Sequence, residues 1–222
     1  MKKNILLITG GTGSFGNAVL NRFLNTDQFT EIRIFSRDEK KQDDLRKRVN
    51  NKKVKFYIGD VRDRDSLIPA IKGVDYIFHA AALKHLTTLE RFPEEAYKTN
   101  VLGTKNVLAA ARRFKVDTFV NISTDKAADP SSALGKSKLV TEKLTAGVEI
   151  QGKKYISVRF GNVIGSNGSF IHTFRHQIKN GGPITITHPD VTRYFMTVSE
   201  AVHLVLQSAI IGEPGETLIL DM

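Results

Sequence analysis

Ser123-Thr124-Asp125-Lys126 sets two hydroxyls, a carboxylate and an amine side by side, directly after the mostly apolar run Thr118-Phe119-Val120-Asn121-Ile122. Hydroxyl, carboxylate and amine in succession make an acid–base set, not a packing motif. Lys138 follows on the next helical stretch. Thr and Asp also cap helices and form turns, the structural role that Thr124 and Asp125 could fill instead. The other chemically marked stretch is Thr9-Gly10-Gly11-Thr12-Gly13-Ser14-Phe15-Gly16. It satisfies G-x-G-x-x-G through Gly11, Gly13 and Gly16, and also a Gly10-x-x-Gly13-x-x-Gly16 spacing. Such glycines allow a tight turn and let the backbone approach a pyrophosphate, with a helix N-terminus behind them offering N–H groups and its positive dipole end.

Positioning those groups requires strands that end where they begin. Short β-branched runs at 4–8, 31–36, 54–58, 75–79 and 118–122 alternate with helical patterns at 14–25, 38–49, 63–71 and 94–114. Strands apolar on both faces belong to a parallel sheet covered by helices on both sides. Strand and helix in repeated alternation predict an α/β, doubly wound parallel sheet of Rossmann type. The glycine run then lies in the first strand–helix turn, where its pattern carries meaning. The acid–base set lies at the carboxyl end of the fifth strand, where substrate meets cofactor in such sheets. Beyond it we expect a helix over 132–148 and a strand over 155–159. A loop rich in glycine and asparagine follows at 161–168, then a helix over 170–179, a strand over 184–187, a helix over 199–210 and a last strand over 217–220. The division expected is a cofactor domain at 1–160 and substrate-binding elements at 161–222, interleaved with the last strands.

Composition narrows the setting. The 222 residues contain no cysteine, which excludes disulfides, thiolate metal sites and a cysteine nucleophile. The apolar run after Met1-Lys2-Lys3-Asn4 stops after four residues, too short for a signal peptide or a membrane span. A cytoplasmic protein is expected. The net charge is +10, and residues 31–55 hold ten Lys and Arg against five acids. An anionic partner fits that balance. Nucleic acid does not, because no recognition motif accompanies the charge and aromatics are only 8% of residues.

NAD-binding sheets commonly end the second strand with an acid that takes the ribose hydroxyls. Here Ser36 stands at that place and Arg37-Asp38-Glu39-Lys40-Lys41 follows, with cations where a 2′-phosphate would lie. This favours NADP. Part of the charge is explained by Asp43–Lys47 and Asp44–Arg48 pairs on a solvated helix, and Asp38 would serve NAD if Ser36 were not the strand end.

Together these residues resemble the extended short-chain dehydrogenase/reductase superfamily. More narrowly they are similar to the nucleotide-sugar 4,6-dehydratases and epimerases of polysaccharide biosynthesis, the group that includes UDP-N-acetylglucosamine 4,6-dehydratases. The resemblance runs from residue 5 to residue 222. It is carried by the glycine run, Ser36-Arg37-Asp38-Glu39-Lys40-Lys41-Gln42, Gly59-Asp60-Val61-Arg62-Asp63 and His79-Ala80-Ala81-Ala82-Leu83-Lys84-His85. Lys98-Thr99-Asn100, the acid–base set, Arg159-Phe160-Gly161-Asn162-Val163 and Thr192-Arg193-Tyr194-Phe195-Met196 complete it.

The resemblance implies roles. Gly10, Thr12, Gly13, Ser14, Phe15 and Gly16 would hold the pyrophosphate, and Ser36, Arg37 and Lys41 the adenosine ribose. Asp60 and Val61 would border the adenine, with Ala80, Ala81 and Ala82 lining the cofactor. Lys84, Asn100 and Lys138 complete that set, although Asn100 could equally be a satisfied polar group in a helical core. Lys84, His85, Asn162 and Arg193 would contact a UDP-sugar; a surface salt bridge is the plainer reading of Arg193. The chemistry implied oxidises the sugar at C4, eliminates water across C5 and C6, and returns the hydride to C6. Thr124 would hydrogen-bond the C4 oxygen, and Asp125 would be the acid if its surroundings raise its pKa. Lys126 would be the base if desolvation, Lys84 and Lys138 depress its pKa. Further copies of the chain are expected as partners.

This sequence departs from the resemblance at two points. The Y-x-x-x-K tyrosine, the usual C4 base, is replaced by Leu134, four residues before Lys138. Lys126, or Asp125 through water, would have to take that proton; Tyr97 and Tyr194 are better suited to packing or substrate contact. The chain is also shorter than such relatives, so we expect a shortened C-terminal substrate lobe. His172 and His176 share a helix face, but no H-E-x-x-H pattern accompanies them and no metal is expected. A UDP-sugar 4-epimerase and a non-catalytic NADP-binding protein are the competing readings.

Overall fold

A computed structural model describes residues 4–166 and 168–220. The basic Met1-Lys2-Lys3 start, Asn167 of the glycine-rich loop and the terminal Asp221-Met222 lie outside the described residues. Seven parallel strands form the main sheet: β1 (Ile5–Thr9), β2 (Glu31–Ser36), β3 (Val54–Ile58), β4 (Tyr76–His79), β5 (Thr118–Ile122), β6 (Lys154–Arg159) and β9 (Thr217–Ile219). Their order is β3-β2-β1-β4-β5-β6-β9. The strand order reverses between β1 and β4, so the crevice at their carboxyl ends is the place for a ligand.

Strand residues alternate between two cores. Leu6, Ile8, Ile32, Ile34, Phe78, Val120 and Ile156 face one layer, which holds Val19, Leu20 and Phe23 of α1 (Ser14–Leu24) and Val202 and Val205 of α9 (Val198–Ile211). Leu7, Phe35, Ile77, Phe119 and Tyr155 face the other, against Leu67 and Ile71 of α3 (Arg64–Ile71) and Val107 and Leu108 of α6 (Gly103–Arg113). Each fully buried Leu, Ile or Phe adds about 1.5–3 kcal/mol. Burial on both faces is why these strands read as unbroken apolar runs.

Helix starts follow local capping chemistry. The Asp38 side chain accepts from Lys41 N at the head of α2 (Glu39–Val49), and the Asp63 side chain accepts from Asp65 N at the head of α3. Ser132 accepts from Gly135 N at the head of α7 (Ala133–Ala146). Thr197 and Glu200 form a reciprocal capping box on α9.

The structure corrects three expectations. The stretch 94–114 is not one α-helix. It consists of α5 (Pro93–Ala96), a π-helical segment (Tyr97–Leu102) and α6, preceded by α4 (Leu86–Arg91), which had no clear apolar period. The expected strand over 184–187 is absent: Ile184 and Ile186 alternate as a strand would, but both are exposed and no neighbouring strand pairs with them. The expected loop at 161–168 instead begins with β7 (Asn162–Val163), which pairs in parallel with β8 (Phe195–Met196). α8 (Phe170–Lys179) forms as expected.

Candidate active site

A cleft of about 840 Å³ opens at the carboxyl ends of β1, β2, β4 and β5. The glycine turn forms its floor. Gly10 adopts φ +67°, and a Cβ there would sit 2.8 Å from Ala81 N and 2.9 Å from the Ala80 carbonyl. Only glycine fits both the left-handed backbone and that approach. Gly13 caps α1 without a side chain, so the helix N-terminus meets the cleft as backbone. Gly10, Thr12, Gly13, Ser14, Phe15 and Gly16 all line the cleft.

At the end of β2, Ser36 is buried and is the last strand residue. Gln42 of α2 donates to Ser36 O (2.9 Å), Ser36 Oγ (3.2 Å) and Tyr57 O (2.8 Å), binding the ends of β2 and β3 together. The Asp38 carboxylate is committed to its cap, at 2.9 Å from Lys41 N, and to an ion pair with Lys41 Nζ at 3.1 Å. Those two bonds hold it below the ordinary carboxylate value. Arg37 is more than half exposed and lies 3.6 Å from Asp60, which Arg62 also binds at 2.7 Å. Ser36, Arg37, Lys41, Asp60 and Val61 line this end of the cleft.

Beneath the opposite end, the buried His79 joins three elements. Its Nδ1 lies 2.7 Å from Thr9 Oγ1 and its Nε2 2.9 Å from Thr104 Oγ1. Thr104 gives its own proton to Asn100 O at 2.6 Å, so its oxygen accepts from His79 Nε2–H, leaving Nδ1 to accept from Thr9. Burial, then the nearby Lys138 charge, pushes His79 down to about 3. The imidazole is a neutral strut. Sequence reasoning had not singled it out for this role, and only its place at a strand end hinted at it.

Asn100 is the main reassignment among the cofactor residues. It is buried in the π-helical segment and does not line the cleft. Its Oδ1 accepts from Leu83 N at 2.8 Å, and its Nδ2 donates to Leu83 O (3.1 Å) and Ser137 Oγ (3.0 Å). Both ends of the amide are satisfied within the protein. Asn100 therefore shapes the loop that carries Ala80, Ala81, Ala82, Lys84 and His85, all of which do line the cleft. Burial lowers the Lys84 ammonium below its ordinary value, and its Nζ lies 3.4 Å from Ser166 Oγ. His85 packs against Gly168, whose backbone is left-handed at φ +73°.

The acid–base set begins where β5 ends. Thr124 Oγ1 donates to Asp125 Oδ1 at 2.8 Å, and the same oxygen accepts from Lys126 N and Lys126 Nζ, both at 2.9 Å. Residues Asp125–Ala127 form a single 3-10 turn, which Thr124 caps. The capping role and the chemical grouping thus coexist. Thr124 and Lys126 line the cleft, while Asp125 sits just behind them. Lys126 also reaches Asn162 Oδ1 at 3.4 Å, and Asn162 is held by Tyr194 O. Lys138 is buried at the cleft wall, donates to Ile122 O at 2.6 Å, and is pushed down to about 8 by its burial.

Three residues fall outside. Arg193 is exposed and donates to the neighbouring Thr192 O (2.6 Å). Tyr97 and Tyr194 are also exposed and off the cleft wall. Leu134 does line the cleft, and it packs with Leu83, Leu89 and Ala96 in a small apolar cluster. The described residues contain no group of three metal-ligating side chains, and no helix among them is long and apolar enough to cross a membrane.

A doubly wound parallel sheet with a glycine turn at its switch point and an acid–base turn beside it defines an α/β protein of the extended short-chain dehydrogenase/reductase fold. The model of the polysaccharide biosynthesis protein family matches residues 6–222, and the chain belongs to that family. A UDP-glucose 4-epimerase of Rickettsia bellii is 52% identical over 221 residues, covering 96% of this chain. The chain spans 65% of the length of that relative. Among solved structures, Pen from Bacillus thuringiensis superposes with a TM-score of 0.94 at 39% identity, over 100% of this chain and 69% of that one. DesIV, a dTDP-glucose 4,6-dehydratase of Streptomyces venezuelae with NAD bound, superposes with a TM-score of 0.87 at 21% identity, over 97% and 74% of the two chains.

Proposed function

We propose that the chain houses the cofactor site and acid–base groups of an NADP-dependent 4,6-dehydratase acting on a UDP-N-acetylhexosamine such as UDP-GlcNAc. The observation that carries this reading is the hydrogen-bonded Thr124–Asp125–Lys126 turn at the edge of the cleft. Epimerisation at C4 needs one proton acceptor; elimination across C5 and C6 needs a further base and an acid. An adjacent carboxyl and amine supply both.

The glycine cradle, the buried Ser36 and the cations Arg37 and Lys41 fit a dinucleotide with a 2′-phosphate. A nicotinamide held there would supply the hydride acceptor for sugar C4 and the hydride donor for C6. Thr124 Oγ1 binds the C4 hydroxyl and passes its proton to Asp125 Oδ1, 2.8 Å away. This takes over the task of the tyrosine that Leu134 replaces. Lys126 Nζ, as the neutral amine, removes the C5 proton, and Asp125, which does not line the cleft, returns its proton through Thr124 Oγ1 to the departing C6 hydroxyl, which leaves as water. Lys126 then gives the proton back to C5 as C6 is reduced. Asn162 Oδ1 accepts from the Lys126 ammonium that forms when the C5 proton is taken.

Incubation with UDP-GlcNAc and NADP, followed by NMR, tests the scheme. A 4-keto-6-deoxy product supports it; C6 unchanged after long incubation rejects it. The second reading is a UDP-sugar 4-epimerase, favoured by the name of the relative at 52% identity. A C4-deuterated substrate separates the two, because elimination moves deuterium to C6 and epimerisation returns it to C4. For the cofactor, NADPH should bind at least about tenfold more tightly than NADH, a difference of 1.4 kcal/mol. Arg37→Glu should abolish that preference. Equal affinities in the wild-type protein would assign NAD instead.

A further inference from the structure

A buried ion pair behind the acid–base turn has no task in the scheme above. Glu142 of α7 is 4% exposed at its side chain and Arg159, at the end of β6, is 16% exposed. They meet in a bidentate fork, Arg159 Nε to Oε1 at 2.9 Å and Nη2 to Oε2 at 2.6 Å. The same carboxylate accepts the Ser123 hydroxyl, and the same guanidinium donates to Ala127 O at 3.3 Å. Ser123 precedes the acid–base residues and Ala127 follows them. One ion pair therefore grips the chain immediately before and immediately after Thr124, Asp125 and Lys126.

The surrounding backbone runs the same way. Ser123 N donates to Val158 O at 2.8 Å and Asp125 N to Phe160 O at 3.1 Å, on either side of Arg159. α7 closes on the turn from the other side, where a Cβ on Gly135 would collide with the Lys126 carbonyl. Buried ion pairs are a weak source of stability, since desolvation offsets much of their attraction. A planar fork does supply direction. We infer that Glu142 and Arg159 are positioning residues, which set turnover by holding the two ends of the acid–base turn without touching substrate. The inference rests on the turn being the reactive centre.

Arg159→Lys keeps the charge but loses the fork, so one ammonium cannot hold both Glu142 oxygens and Ala127 O. Amide hydrogen exchange at Asp125 and Ala127 should accelerate at least about tenfold, with exchange at Phe119 and Val120 of β5 unchanged. The kcat for the UDP-sugar should fall about ten- to a hundredfold, with KM and the cofactor dissociation constant within about twofold of wild type. Unchanged exchange at Asp125 and Ala127 would overturn the inference, as would equal acceleration throughout β5. If Arg159→Lys does not fold, Glu142→Gln, which keeps the shape and the Ser123 contact, should show the same local pattern. Failure of both variants to fold would assign the pair to stability alone. If wild type turns over no UDP-sugar, the functional reading fails, while the exchange result still decides whether the pair holds the turn.

Discussion

The sheet and the segment from 161 to 197 build the two walls of one cleft by opposite means. In the sheet, every residue of β5 is buried, and so are the five residues of β2 after Glu31. Among the described residues of 161–197, Met196 alone is buried, and α8 buries none of its ten. Its aromatic rings lean on one another instead: Phe170 stands 5.2 Å from Phe174 and 5.6 Å from Phe195. The glycine turn and the acid–base turn are thus mounted on a packed scaffold with two cores. Asn162, Phe170 and Phe195, which face the cleft from the other side, have little protein beneath them. The sheet fixes the geometry of those two turns, and the opposite wall contributes surface.

Paired substitutions across the two walls should break or sharpen this contrast. Ile34→Ala removes a fully buried side chain facing α1 and should cost about 2–5 kcal/mol in denaturant unfolding. Ile178→Ala on α8, where the residue is 61% exposed, should change stability by less than about 0.5 kcal/mol. Comparable losses would mean that α8 carries as much of the fold as the sheet does.

Two left-handed glycines sharpen the comparison at constant backbone strain. Gly10 and Gly181 have φ of +67° and +85°, but a Cβ on Gly181 meets nothing within 4 Å. Gly181→Ala should cost about 1 kcal/mol from backbone strain alone. Gly10→Ala adds the collision with Ala80 and Ala81 and should cost about 3 kcal/mol, with loss of cofactor binding. Equal thermal shifts would show that the turn can move aside.

Acid stability tests the buried strut. His79 titrates near 3 in the folded chain against an ordinary value of 6.5. Between those values the unfolded chain binds a proton that the folded chain does not, so stability falls as pH drops from 6.5 toward 3. His79→Gln lacks that slope. Its stability deficit should be largest near neutral pH and should shrink on acidification; a constant deficit would remove His79 from the acid response.

Lys138 has the opposite pH window. Its folded value is about 8 against an ordinary 10.5, so its buried charge is a fixed cost below pH 8 that is relieved as pH rises toward 10.5. Wild type should gain stability on Lys138→Met across that range, and parallel curves for the two proteins would contradict the burial.

Much of this architecture was legible in the residues. Short apolar runs marked all seven strands of the main sheet within a residue, the last over 217–220 against the observed Thr217–Ile219. Asp38, Asp63 and Ser132 marked helix starts because a capping oxygen acts within three residues of itself. The strand at 184–187 failed for a related reason: Ile-Thr-Ile-Thr has the right period, but a strand also needs a neighbour. The pairing went to Asn162–Val163 and Phe195–Met196, which are too short to show a period at all.

The same divide runs through the site. Sequence alone determined the parallel sheet, the glycine turn and the Thr124-Asp125-Lys126 grouping, because period, left-handed turns and adjacency are local properties of a chain. Only the tertiary structure made Asn100 a clamp on Leu83, seated Leu134 among Leu83, Leu89 and Ala96, and closed Glu142 and Arg159 around the acid–base turn. Those contacts join residues 17 or more positions apart, and no local pattern encodes which side chains meet once helices pack on a sheet.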